Sequence, residues 1–144
     1  MLSSSRFVVA VHVLTLLHHY GKKGPVCSSV IAQSVETNPV VIRRLMSQLE
    51  RGGLVHSTSG RAGGFLLAKG ACDINLAEVY QAVEDEQMFR THRNSDNPEC
   101  ETARAIFKAL MPRLAEASKA MQVQLATTKL SDLAPQPQPV ALSA

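Results

Sequence analysis

The chain has 144 residues, a length typical of a single domain with or without an accessory element, and a chain of this size folds without disulfides. Its three cysteines, Cys27, Cys72 and Cys100, are odd in number and widely spaced, which excludes a fully paired disulfide framework and favours a reducing compartment. Residues 1–70 carry eight Lys/Arg and two Asp/Glu, whereas residues 71–144 carry seven and ten. This asymmetry favours an anionic partner, such as nucleic acid, for the first half of the chain.

Residues 4–20 predict a first helix that is apolar on nearly every side and is therefore buried. Its most apolar segment, residues 7–17, is too short to cross a bilayer. His12 interrupts this segment, and no small-residue cleavage site follows it, so we expect no signal peptide. The expected location is the cytoplasm.

Residues 28–35 predict a short second helix, with Ser28 or Ser29 as its cap, and three residues separate it from a third helix over residues 39–51. Asn38 suits the N-cap of the third helix, and Pro39 suits its first position. Two short helices joined by such a turn predict a helix-turn-helix, whose second helix usually enters a DNA groove.

The third helix is amphipathic. Its periodicity predicts a core-facing side made of four aliphatic residues, Val41, Ile42, Leu45 and Leu49. The opposite side is predicted to be basic and solvent-exposed, and it comprises Val40, Arg43, Arg44, Ser47 and Arg51. An arginine fork matches a guanine edge or a phosphate, and a solvated surface is the alternative interpretation of the same arginines.

Hydroxyl groups at the starts of the second and third helices are further candidates for DNA contact. Ser28 and Thr37 stand where hydroxyls and free amides are able to hold phosphate. Plain helix capping is an equally good interpretation of both residues. The predicted DNA-binding set therefore comprises Ser28, Thr37, Asn38, Pro39, Val40, Arg43, Arg44, Ser47 and, from the next element, Arg61.

Residues 54–57 and 65–68 predict two short strands that form a hairpin, here called the wing because it directly follows the helix-turn-helix. The glycines of the connecting loop allow a positive φ angle at its tip, where Arg61 is exposed. Arg61 is a candidate for insertion into the minor groove or for phosphate contact. The alternative is an ordinary exposed loop arginine.

Asn75 predicts the cap of a fourth helix over residues 76–84, and a polar, irregular segment of the sensor type follows over residues 85–97. Asn97 and Pro98 then predict the start of a long helix with an apolar stripe. Such a stripe on a small domain usually pairs with its copy, which makes Phe107, Leu110, Leu114, Met121 and Leu125 candidate homodimer contacts.

The predicted organisation has four parts. Residues 1–84 form the DNA-binding domain and residues 85–97 the polar loop; residues 98–133 hold the dimerisation helix and a final turn, and residues 134–144 a disordered tail. Pro112 lies inside the long helix and predicts a kink or a break there.

Cys100 and His92 are the candidates for a redox or metal-responsive site. In the first turn of the long helix, the helix dipole would favour the Cys100 thiolate, whereas nearby acidic residues oppose it. A zinc or iron site built on this pair needs two further ligands. A structural role for Cys100 is the alternative, and Cys27 and Cys72 are expected to be small buried hydrophobic residues.

The order of these elements resembles the IscR/NsrR/CymR-like family of winged helix-turn-helix bacterial transcription regulators, also called the Rrf-two type. The resemblance covers residues 1–133 and is carried by residues 5–7, 31–32, 38–44, 49–55, 60–68 and 74–80. It implies a mainly α fold with a small β-hairpin, and a dimeric transcription regulator, with repression as the expected action.

The resemblance is incomplete in one respect. The cluster-binding branch of the family places three cysteines before and at the start of the long helix, where this chain has only Cys100. We therefore expect no iron–sulfur cluster and no other cofactor.

Two alternatives to a DNA-binding regulator are compatible with the sequence. One is a winged-helix module that binds protein, and the other is a regulator loaded with a metal or a cluster. The sequence contains no nucleophile–base constellation and no phosphate loop, so we expect no enzymatic activity and no catalytic residues. The expected operator is pseudo-palindromic double-stranded DNA.

Overall fold

A computed structural model describes residues 5–84, 89 and 99–135 of the chain. These ranges contain six α-helices, two 3-10 helices of three residues each and one two-stranded antiparallel sheet. In chain order, the α-helices and strands are α1 (Arg6–Tyr20), α2 (Ser28–Val35), α3 (Pro39–Arg51), β1 (Val55–Thr58), β2 (Gly64–Leu67), α4 (Leu76–Val83), α5 (Glu101–Ala126) and α6 (Leu130–Leu133). Together they form a winged helix-turn-helix followed by a long helix. This confirms the predicted fold class.

Helix α1 is the centre of the core. It packs against α2, α3, α4, α6 and β2, and its five buried residues are Ala10, Val13, Leu14, Leu16 and Leu17. Its first turn is held to the end of α4, because Glu84 accepts hydrogen bonds from the Arg6 guanidinium and from the Phe7 amide, both at 3.2 Å. None of the helices in the described ranges combines the length and the hydropathy of a membrane span.

The turn between α2 and α3 is compact. Glu36 adopts the left-handed conformation with a φ angle of 55°, and the Thr37 amide donates to the Ala32 carbonyl at 2.9 Å. The predicted cap of α2 is wrong by one residue. Cys27 is the N-cap and Ser28 is the first helical residue, because Cys27 is the residue that keeps an extended backbone.

Helix α3 has the predicted bounds. The Asn38 side-chain oxygen accepts from the Val40 amide at 2.8 Å, and Pro39 occupies the first turn, as expected. The predicted core side is wrong at one position, because Val41 is 54% exposed, whereas Met46 is fully buried. Met46 lies one turn after Ile42, on the side of α3 that the core covers.

The wing is formed as predicted, with both strands displaced by one residue from the expected bounds. Val55 pairs with Leu67 and Thr58 with Gly64, and Leu54 is buried below the hairpin. Gly60 has the positive φ angle expected at the tip, 104°. Gly64 serves a different purpose, since a Cβ atom there would lie 2.6 Å from the Val26 backbone.

Asn75 and Glu78 form a reciprocal capping box at the start of α4, with distances of 3.0 and 2.9 Å. Helix α5 starts later than the predicted residue 98. Cys100 is its N-cap, with an extended backbone, and its sulfur accepts from the Ala103 amide at 3.4 Å. The helix is continuous through Pro112, so the proline does not split it.

The chain returns to the core after α5. The Leu130 amide donates to the Ile74 carbonyl at 2.9 Å, and the Leu76 amide donates to the Thr128 carbonyl at 3.0 Å. Leu130 is fully buried. The predicted final turn over residues 130–133 is therefore confirmed as α6, and it belongs to the core of the winged helix.

Candidate nucleic-acid interface

The candidate interface is built on α3. Ile42, Leu45, Met46 and Leu49 are buried in the core, so α3 is anchored along one side. Val40, Arg43, Arg44, Ser47 and Arg51 are exposed, as predicted from the periodicity. Because one side of the helix is anchored, the arginines extend from a rigid support.

Three arginines of the candidate interface have no partner among the residues that the structure describes. In the part of the chain that the structure describes, neither a hydrogen bond nor an ion pair involves the guanidinium of Arg43, Arg44 or Arg61. The Arg51 side chain differs, since its Nε donates to the Ser47 carbonyl at 3.3 Å. Arg43, Arg44 and Arg61 are therefore available to an anionic ligand.

The start of α3 carries further candidate contacts. Val40 and Val41 are both more than half exposed, and Asn38 is exposed, whereas Thr37 and Pro39 are half-buried. Val41 was predicted to face the core and was therefore not among the predicted contacts. Aliphatic groups at this place are able to contact a thymine methyl group.

The wing extends the interface beyond α3. Arg61 is exposed next to Gly60, as predicted. A third segment joins the wing, because Val26 and Phe65 exchange two backbone hydrogen bonds of 3.1 and 2.9 Å. This pairing brings the segment that leads to Ser28 alongside β2. Ser28 is half-buried, and its amide lies in the first turn of α2, as a phosphate contact requires.

The last turn of α3 is connected to the wing by Glu50. Its Oε1 atom accepts hydrogen bonds from the Ser57 amide and the Ser57 hydroxyl, both at 2.9 Å. These bonds, the amide first, hold the pKa of the Glu50 carboxyl below its ordinary value. Glu50 was not among the predicted site residues, because a contact between a helix and a later strand leaves no periodic signal.

The three cysteines differ in their exposure to solvent. Cys72 is exposed and Cys27 is half-buried, so the prediction that both are buried hydrophobic residues is wrong. Each lies in a short connecting or capping segment at the surface and not on a core-facing side. A hydrogen bond with the Ser29 hydroxyl lowers the pKa of the Cys27 thiol.

Cys100 is half-buried at the start of α5, and its candidate partner His92 lies outside the described residues, as does most of the polar loop at residues 85–97. Within residues 5–84, 89 and 99–135, no three His, Cys, Asp or Glu side chains come together as metal ligands would.

The candidate dimer contacts lie along α5, which has no fully buried residue. Phe107, Leu114, Met121 and Leu125 are half-buried, whereas Leu110 is 46% exposed. Ile106, which the sequence analysis did not include, is 56% exposed. The later part of α5 lies beside α4 of the same chain, where the Gln81 amide nitrogen donates to the Gln122 side-chain oxygen at 3.0 Å.

Comparison with known proteins places this geometry in a family. YwnA of Bacillus subtilis (strain 168), named as a candidate HTH-type transcriptional regulator, is 39% identical over 131 residues, which cover 90% of this chain and 95% of YwnA. The HTH-type transcriptional regulator IscR of Photorhabdus laumondii is 35% identical over 83 residues, 58% of this chain and 49% of IscR.

Solved structures have the same fold. The crystal structure of a candidate transcriptional regulator from Lactobacillus plantarum superposes with a TM-score of 0.74 at 25% identity, over 90% of this chain and 87% of that one. CymR of B. subtilis gives a TM-score of 0.64 at 21% identity, over 93% and 97% of the two chains. The model of the Rrf2 family, described as an iron-dependent transcriptional regulator, matches residues 3–136. The chain belongs to the Rrf2 family of transcriptional regulators.

Proposed function

We propose that this transcriptional regulator is a homodimer that binds a specific double-stranded DNA operator, acts as a repressor in the cytoplasm and catalyses no reaction. The observation that carries the proposal is the exposed pair Arg43 and Arg44, which form no ion pair with any residue that the structure describes, on a helix whose other side is buried. Exposed arginines fixed on a rigid helix suit the major groove, because the helix fits its width and the guanidinium fork matches guanine or phosphate.

The start of α3 enters the groove first in this proposal. Val40 and Val41 face the base edges there, with Ser47 one to two turns further along the same exposed side. Thr37 and Asn38 lie before the first turn, and Ser28 opens α2, so their hydroxyl, amide and backbone N–H groups contact phosphates on either side of the groove.

The wing makes the second contact. Arg61 reaches the adjacent minor groove or its phosphates, and the positive φ angle of Gly60 turns the backbone at the tip. Phosphate contacts release counterions, so affinity should fall with salt by a slope of about −0.9 per neutralised phosphate.

A second copy of the chain binds the other half of the same operator. The exposed side chains Ile106 and Leu110 of α5, with the half-buried Phe107 and Leu114, favour pairing with the same helix of a partner. Two-fold symmetry then predicts a pseudo-palindromic operator with half-sites about 34–36 Å apart, or a multiple of that distance.

The family's description as iron-dependent raises the question of a resident cluster. The cysteines of this chain do not fit a cluster held by three cysteines of a single chain. Cys27 caps α2, Cys72 lies in the short segment before α4, and Cys100 caps α5. Within the described residues, the three do not come together as a ligand group. We therefore propose that the regulator acts without an iron–sulfur cluster. Cys100 is the candidate thiol for a redox signal, because it caps the helix that follows the polar loop.

The DNA experiment captures genomic fragments with the full chain and sequences them. Enrichment of one inverted repeat supports the proposal. Arg43→Ala and Arg44→Ala should weaken binding to that repeat and reduce the salt slope by about 1 for each lost phosphate contact. Arg104→Ala on α5 removes the same charge elsewhere and should bind as the wild type does. Equal binding by all three variants, or no enriched sequence, would contradict the proposal.

The cluster experiment purifies the protein without oxygen and measures its absorption spectrum, iron and sulfide. Colourless, iron-free protein that still binds its operator supports action without a cluster. Stoichiometric iron and sulfide whose removal abolishes operator binding would overturn that part of the proposal.

A further inference from the structure

Glu50 lies on α3, the helix of the candidate interface, and its position needs an explanation. Residues 1–70 contain only two acidic residues, Glu36 and Glu50, and Glu50 lies beside the exposed Arg51. A carboxylate there repels DNA, so its presence costs affinity unless its contacts contribute something else.

The contacts of Glu50 are specific to the wing. Ser57 lies opposite Phe65 in the hairpin, and the Phe65 amide and carbonyl both bond to Val26 on the far side. In two antiparallel strands, the residues of a non-hydrogen-bonded pair direct their backbone N–H and C=O groups away from each other. The Ser57 amide therefore points away from β2, to the edge where Glu50 accepts it.

The hairpin is thus held at both of its edges, at the position of the Ser57–Phe65 pair. Val26 bonds to it on the β2 side, and Glu50 on the β1 side. Beyond this level, the described hydrogen bonds lie within the wing itself, between Thr58 and Gly64 and between Gly60 and Gly63. Among the described contacts, the Glu50–Ser57 pair is the last hydrogen-bonded connection between α3 and the wing before Arg61, which lies four residues later in the chain.

We propose that Glu50 is a positioning residue that sets the orientation of the wing relative to α3, so that Arg61 and the α3 arginines reach one DNA site together. The proposal rests on the proposed function. Glu50 acts through Ser57 and does not touch DNA itself. Its negative charge opposes binding, while its two hydrogen bonds favour it, and these two effects are separable by substitution.

The test uses Glu50→Gln and Glu50→Ala in the full-length protein. Glutamine keeps an oxygen that is able to accept from both the Ser57 amide and hydroxyl but removes the charge, so Glu50→Gln should bind the operator at least as tightly as the wild type. Glu50→Ala removes the charge and the bonds, so it should bind about three- to tenfold more weakly than Glu50→Gln.

The decisive comparison repeats both variants in an Arg61→Ala background. If Glu50 acts by placing the wing, the difference between glutamine and alanine should shrink to less than about twofold once Arg61 is gone. The matched control is the other acidic residue of this half, since Glu36→Gln and Glu36→Ala should bind equally well. Thermal unfolding of every variant separates positioning from a general loss of folding.

Two outcomes would overturn the inference. One is equal affinity of Glu50→Gln and Glu50→Ala when Arg61 is present, and the other is an undiminished difference after Arg61→Ala. Failure of the wild-type protein to bind any captured fragment is a distinct result, which overturns the proposed function.

Discussion

Val26 and Phe65 pair through two backbone hydrogen bonds, with the Val26 amide 3.1 Å from the Phe65 carbonyl and the Phe65 amide 2.9 Å from the Val26 carbonyl. The segment before α2 therefore lies against the outer edge of β2. This pairing covers that edge of the wing and continues directly into the start of α2 at Ser28. Two parts of the candidate interface are thus joined through main-chain bonds.

Gly64→Ala should disrupt this pairing. A Cβ atom at residue 64 would lie 2.6 Å from both the carbonyl carbon and the oxygen of Val26, so the Val26 segment must move. We expect a loss of about 1–3 kcal/mol in the free energy of unfolding, measured by urea denaturation. Gly70→Ala is the control, because the nearest atom there is the movable Asp73 carboxylate at 3.1 Å. Equal stability of the two variants would show that the Val26 pairing is unimportant.

Leu130→Ala should destabilise the whole winged helix. Leu130 is fully buried and lies in a turn that packs on α1, so its removal leaves a cavity costing about 2–5 kcal/mol. Leu133→Ala, in the same short helix, removes a side chain that is 44% exposed and should change stability far less. Thermal or urea unfolding of the two variants measures the difference. Similar losses at both positions would contradict the described packing of α6.

Asn38→Ala should weaken the start of α3. The Asn38 oxygen accepts from the Val40 amide, and the loss of such a cap costs about 0.5–2 kcal/mol. Asn38→Ser retains an acceptor and should recover most of the stability. The measurement is equilibrium unfolding of the three proteins without DNA, since Asn38 is also a proposed DNA contact. An alanine variant as stable as the wild type would exclude a capping role.

Acid should weaken the Glu78 contacts. The Lys69 ammonium, 2.5 Å from the Glu78 carboxylate, and the Asn75 amide lower the pKa of Glu78 below its usual value of 4.5. A lowered pKa in the folded state means that the contribution to stability is present above pH 4.5 and is lost as the pH falls through the folded-state pKa. Glu78→Gln should therefore flatten the acid side of the stability profile, measured by unfolding between neutral and acidic pH. An unchanged slope would contradict this assignment.

Leu114→Glu should break the proposed homodimer. Leu114 is half-buried on the apolar stripe of α5, and a charge in a paired interface is costly unless it is neutralised. We expect the wild type to have the mass of a dimer by light scattering and the variant to have that of a monomer with reduced operator affinity. Ala109→Glu places the same charge on the other side of α5 and should remain dimeric. A monomeric wild type, or a dimeric Leu114→Glu, would contradict the proposal.

Local patterns predicted most of the elements. Asn38 and Pro39 marked the first turn of α3, and Asn75 marked that of α4, because capping depends on residues within one turn. Local patterns failed where two nearby residues were candidates for the same structural role. Asn97 and Pro98 favoured an early start for the long helix, yet Cys100 forms the cap of α5. Val41 was assigned to the core, because a valine four positions before Leu45 satisfies the same apolar periodicity.

The sequence by itself therefore determined the kind and order of the elements, the basic side of α3 and the glycine-containing wing that bears Arg61. Those features depend on residues close together in the chain, where spacing and capping act directly. Only the tertiary structure decided that Met46 replaces Val41 in the core, that Leu130 returns to it, and that Glu50 holds Ser57. These contacts join separate elements, and their energies depend on which surfaces meet after packing, which no local spacing specifies.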